Sequence, residues 1–181
     1  MRSEKIIQRS LGIISLLSTI GMYISGVGIF VMSLLITIEI AGRYVLGFSL
    51  LVADEWSGYL LVIVTFLGLA YTMRAKGFMQ MELLTKRLAP RKRNLLTVFL
   101  VIVALIYSIL IEYRLILIAW SSYSTKYVSV SMAQTPLFIP QLFMPLGMML
   151  LILELLREGF QSLHAVITDN SYYSQRRKAS K

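Results

Sequence analysis

The chain has 181 residues, 57% of them apolar and only 15% charged, and its mean hydropathy is +0.73. A soluble domain carries about a quarter of its residues as Asp, Glu, Lys or Arg, so this composition excludes one and points to a membrane protein. The net charge of +9 calls for an anionic partner, and the lack of Cys excludes disulfides, thiolate nucleophiles and cysteine-ligated metals.

The first apolar run extends from about Leu11 to Ile38. As a helix its 28 residues would reach roughly 42 Å, longer than a bilayer's hydrocarbon core, so it should tilt. It exceeds the apolar core of a signal peptide and lacks a clear small-residue cleavage site. Gly21, Ser25 and Gly28 lie on one face of it and allow another helix to approach closely. Glu39 and Arg43 follow at its outer end, spaced four apart and able to pair along a helix. Asp54 and Glu55 precede the second run, Trp56 to Met73; Asp54 can cap that helix, and both charges favour its N-terminal dipole. Gly58 and Gly68 thin the second run as Gly21 and Gly28 thin the first.

After the second run come Arg74, Lys76 and the most basic stretch of the chain, KRLAPRKR, containing Lys86, Arg87, Arg91, Lys92 and Arg93. Alone it would read as a nucleic-acid patch. Between two uncharged runs of membrane-spanning length its partner is instead the anionic lipid surface of the inner leaflet, and no nucleic acid is implied. Residues 77–90 fit a short amphipathic helix on that surface, with Phe78, Met81, Leu84 and Leu88 near one face; an irregular loop is the alternative.

The third run, Leu95 to about Trp120, contains Glu112 and Arg114. Glu112 lies 19 residues beyond Arg93, about 28 Å along a helix, which predicts a polar contact near the outer boundary; a strong tilt would instead leave it within the bilayer, facing another helix. Ser121 to Pro136 form a long outer loop bearing Lys126. The fourth run spans Leu137 to Leu156, with Pro136 and Pro140 at its start and Pro145 beside Gly147 as a predicted kink. Glu154 and Arg157 are spaced to pair, His164 reads as solvated, and residues 170–181 as a flexible basic tail.

The fold class predicted is therefore an all-α integral membrane protein, a single domain with spans at about 11–38, 56–73, 95–120 and 137–156. With the N-terminus inside, fifteen of the 18 basic residues fall on the inner side; only Arg43, Arg114 and Lys126 fall outside. The positive-inside rule then places both termini in the cytoplasm.

There is no GxxxxGK[ST] phosphate-binding loop, no Ser-His-Asp set and no cluster of metal-ligand residues. The residues imply neither an enzyme nor a bound cofactor. Glu39, Arg43, Asp54, Glu55, Glu112 and Lys126 stand near the outer ends of the runs as candidates for contact with a partner protein.

The segment GRYVLGFSLLVADEWSGYLLVIVTFLGLAYTMRAKGFMQMELL, Gly42 to Leu84, resembles the small, four-span (DctQ-like) membrane subunit of TRAP (tripartite ATP-independent periplasmic) transporters, with its GRY…G…S…DE start and TFLG run. TPLFIP…PLG, Thr135 to Gly147, matches that family's start of the fourth span. The chain departs from it at Phe78, Gln80 and Glu82, where members often carry His-x-Arg-x-Asp. The resemblance implies a subunit of the bacterial inner membrane that scaffolds a large sodium-coupled transport subunit. It also implies help in docking a periplasmic substrate-binding protein during uptake of an organic acid, such as a dicarboxylate or a sialic-acid-like compound. Sodium would bind the large subunit and not this chain. A different class of reading is an autonomous four-helix, proton-coupled exporter of cationic drugs, which requires a carboxylate well inside a span.

Overall fold

The computed structural model describes residues 2–47, 53–75, 90–130 and 134–179. Helix α1 is Arg2–Ala41, prolonged by a π-helical turn at Gly42–Leu46; α2 is Ala53–Arg74, α3 Pro90–Ser124 and α4 Phe138–Ala179. Among the described residues there is no strand, only an isolated antiparallel bridge between Val128 and Pro136. Four stretches are long and apolar enough to cross a membrane: Gly12–Val45, Ala53–Arg74, Leu95–Ser124 and Phe138–Leu163. The protein is an all-α, four-span membrane protein. The predicted surface helix at 77–90 lies outside the described residues.

Each span reaches beyond its apolar run, because polar residues at the ends continue the backbone hydrogen bonding that lipid demands. The first span carries Glu39 and Arg43 inside one continuous helix and stops where Gly47 takes a left-handed φ of 68°. The helix α4 continues to Ala179, through the segment that reads as a loose tail, with no Gly or Pro after Gly159 to stop it. Pro145 lies within α4 and removes the N–H that would otherwise bond the Gln141 carbonyl.

The helices stand in a row. In space the order is α1, α2, α4, α3, and α1 also reaches α4 at one end. Antiparallel α1 and α2 are fixed by Ser25, whose Oγ lies 3.0 Å from the Val64 carbonyl and 2.8 Å from that of Gly21, one turn back on its own helix. α2 and α4 meet closely at Gly147, where a Cβ would overlap the Phe66 carbonyl. Between antiparallel α3 and α4, a Cβ at Gly159 would lie 3.1 Å from Val101, and the Tyr123 and Phe138 rings meet edge to face at 5.6 Å.

The seam of α1 explains how it packs without large side chains. Ser18, Gly21, Ser25, Gly28, Met32, Leu35, Glu39 and Gly42 recur at alternating steps of three and four, and all are buried or half-buried. That is the heptad repeat of a left-handed helix pair, here filled with small and polar residues. The rest of α1 and most of α3 turn apolar side chains outward, Phe30, Val27, Leu110 and Ile106 among them. A row leaves two broad apolar faces, and lipid or another membrane protein must cover them.

Candidate functional site

The polar residues within the spans gather at three places. At the end of the row where α2 finishes, Arg74 donates to the Ser15 carbonyl, to Ser15 Oγ at 2.7 Å and to Thr19 Oγ1 at 2.9 Å, and lies 4.9 Å from the Tyr71 ring centre. Nearby, Glu154 of α4 is only 3% exposed. Its Oε1 accepts from Ser18 Oγ at 2.5 Å and its Oε2 from Arg157 Nη1 at 3.0 Å. Ser18 Oγ also lies 2.9 Å from the Ile14 carbonyl, so its single proton is shared between two acceptors. Ala70 of α2, with no exposed surface, leaves room for α1 and α4 to meet here. The arrangement clamps three helices, and each oxygen of the buried carboxylate has a donor.

At the opposite end, Arg43 Nη2 meets Glu39 Oε1 at 2.8 Å, the pair that the i, i+4 spacing predicts. Glu39 is buried while Arg43 is half exposed. Since α2 begins at Ala53, Asp54 and Glu55 stand in its first turn and face the dipole, and Asp54 is not itself the cap. Glu55 accepts from Tyr59 at 2.5 Å, and Ser129, in the loop after α3, stands beside the Tyr59 hydroxyl. That loop is braced by its own backbone: Ser129 N donates to Thr135 O at 2.9 Å and Leu137 N to Tyr127 O at 3.0 Å. Lys126 is exposed there with φ of 52°. Below the loop α3 and α4 enclose an apolar groove of about 340 Å³ among Ile116, Trp120, Leu142 and Pro145.

The third place is the middle of α3, at Glu112. Glu112 is midway between Val101 and Tyr123, the two residues that fix the register of α3 on α4. The candidate span runs from Leu95 to Ser124, which places Glu112 well within it along the chain. Glu112 shares the seam of Val101, Ser108, Ala119 and Ser122 toward α4, and its buried Oε2 has no hydrogen-bond partner among the described residues. Arg114, two residues on, points to the opposite, exposed face.

Of the glycines singled out for packing, Gly21 and Gly28 face α2, where a Cβ would come within 2.8 Å of the Leu67 carbonyl and 2.7 Å of Val64. Gly68 faces Ser25 across the same seam, whereas nothing lies within 4 Å of a Cβ at Gly58. Gly147, read from sequence only as part of a kink, is a close contact of α4 with the α2 backbone at Phe66. Lys76, Lys86 and Arg87 lie outside the described residues, and Arg91, Lys92 and Arg93 fall in the first turn of α3. Among the described residues no three of His, Cys, Asp and Glu gather as a metal site.

The polar groups of this four-span row mainly brace its own helices. The model of the family described as "Tripartite ATP-independent periplasmic transporters, DctQ component" matches residues 32–164, about three quarters of the chain. The chain belongs to the DctQ family. The match begins at Met32, takes in the polar end at Glu39 and Arg43 and all of α2 and α3, and closes at His164 in α4. A comparison with curated proteins finds no match. DctQ components are the small permease subunits of TRAP transporters, a transporter family in which they work with a large membrane subunit and a periplasmic binding protein. This chain is such a subunit, a multi-pass membrane protein of a transport system.

Proposed function

We propose that this DctQ component is a scaffold of the bacterial inner membrane, with both termini cytoplasmic. It holds a large sodium-coupled subunit in place and offers its outer loops to a binding protein that delivers an organic acid. One observation carries the reading: the helices form an open row whose apolar faces require cover, rather than a bundle closed around a path. Among the described residues the ion pairs Glu39–Arg43 and Glu154–Arg157 form within single helices. Fifteen basic residues on one side supply the orientation and the contact with anionic lipid. Sodium and substrate belong to the large subunit in this reading. The test is co-purification of the chain from native membranes: the expected result is one large membrane subunit in fixed ratio. Recovery of the chain alone, under conditions that keep other membrane complexes whole, would count against the scaffold.

Glu112 gives the proton-coupled exporter a specific footing, since a carboxylate at mid-span with an unpartnered oxygen is the kind of group such a protein uses. Its seam position against α4 favours a structural place. If Glu112→Gln abolishes proton-driven efflux by the chain alone, the exporter reading replaces the scaffold. Under the scaffold reading, the chain shows no such efflux with either residue.

A further inference from the structure

The outward face of α3 carries a charge that lipid alone does not satisfy. Val103, Tyr107, Leu110, Arg114, Leu117 and Ser121 recur at steps of four and three on the side opposite the α4 seam, and all are exposed. Within that stripe the polar residues Tyr107, Arg114 and Ser121 stand seven apart, forming one polar line about 21 Å long. Tyr107 is 66% exposed. Neither Tyr107 nor Arg114 has a hydrogen-bond or ion-pair partner among the described residues.

Arg114 stands ten residues before Ser124, the nearer end of the span, about 15 Å along the axis. A long cationic side chain can snorkel to the interface. On a helix, however, side chains lean toward the N-terminus, which for Arg114 is away from that nearer end. A lipid headgroup stays at the interface and does not reach a line running this deep. A second copy docked through the same face by two-fold symmetry would bring Arg114 toward Arg114, a repulsive arrangement.

We infer that the Tyr107–Arg114–Ser121 face of α3 packs against a membrane helix of the large subunit, which presents a carboxylate or unpaired carbonyl oxygens to Arg114. The inference rests on the scaffold reading above and adds to it which face is covered and by what chemistry. The face of α1 that bears Val27 and Phe30 is then left to lipid.

The test places a photoreactive phenylalanine analogue at Leu110, Leu117 or Val27 in the full transporter, in native membranes. The large subunit should cross-link from Leu110 and Leu117 and not from Val27. In parallel, Arg114→Leu should lower the co-purified large subunit about tenfold or more, the loss expected for a desolvated charged hydrogen bond, while Arg114→Lys keeps part of it. Because Arg114 supports no contact within the chain, the membrane level of each variant should equal that of the parent. Cross-links from Leu110 to a second copy or to lipid only, with the large subunit still co-purifying, overturn the face assignment and spare the scaffold. Failure of the parent chain to co-purify any large subunit overturns both.

Discussion

Adding one methyl group at two glycines of the same protein should have opposite effects. A Cβ at Gly21 would sit 2.8 Å from the Leu67 carbonyl oxygen, 0.6 Å inside the 3.4 Å at which ordinary contact begins. The obstacle is backbone, so relief requires α1 and α2 to separate and weakens the Ser25–Val64 hydrogen bond one turn away. Overpacking of this kind costs about 1–3 kcal/mol. The helix preference for Ala over Gly returns about 1 kcal/mol, so Gly21→Ala should be neutral to destabilising by about 2 kcal/mol. At Gly58 a Cβ meets nothing within 4 Å, and Gly58→Ala should keep the whole propensity gain. For a chain of this size about 1 kcal/mol moves the thermal midpoint by 2–4 °C. The assay is the fraction surviving size-exclusion chromatography in detergent after heating, with Gly147→Ala as the more severe case. Equal midpoints for Gly21→Ala and Gly58→Ala would refute the close α1–α2 seam.

Three further outcomes follow from the same geometry. Glu154→Ala should destabilise more than Ser18→Ala in the same assay, since the first takes the acceptor from Arg157 and leaves Ser18 only the Ile14 carbonyl; Ser18→Ala alone should cost about 1.5–3 kcal/mol, as for a hydrogen bond to a charged group. Lys126→Glu should raise the binding-protein concentration for half-maximal uptake at low salt, where exposed charges act most strongly, and leave stability unchanged; Arg43 is unsuited to that experiment because it holds buried Glu39. Reporter fusions after Lys92 and at the C-terminus should both read cytoplasmic, and a periplasmic signal from either would reverse the proposed orientation.

Length and hydropathy alone made the four spans legible, because lipid leaves a chain few ways to satisfy its backbone. Helix contacts were harder to read. In a soluble helix an apolar stripe marks the buried face, but here the lipid-facing side is equally apolar, and only small or polar residues betray a seam. Gly21, Ser25 and Gly28 did so; the repeat that extends them to Ser18 and Gly42 was present in the sequence yet masked by Met32 and Leu35. Gly147 was overshadowed by Pro145, whose effect on helix geometry is the more familiar. The Ser18–Glu154 bond joins residues 136 apart, and no local spacing announces it. The unpartnered Oε2 of Glu112 is equally silent in the sequence, because it depends on how α3 packs on α4.

The claim that this DctQ component is a scaffold within a tripartite transporter is tested most directly by reconstitution. Proteoliposomes would hold the chain alone, the large subunit alone or both, with the binding protein and its organic acid outside and an inward sodium gradient. The account predicts sodium-driven uptake only when both membrane subunits are present. Uptake by the chain alone, or full uptake by the large subunit without it, would contradict the account.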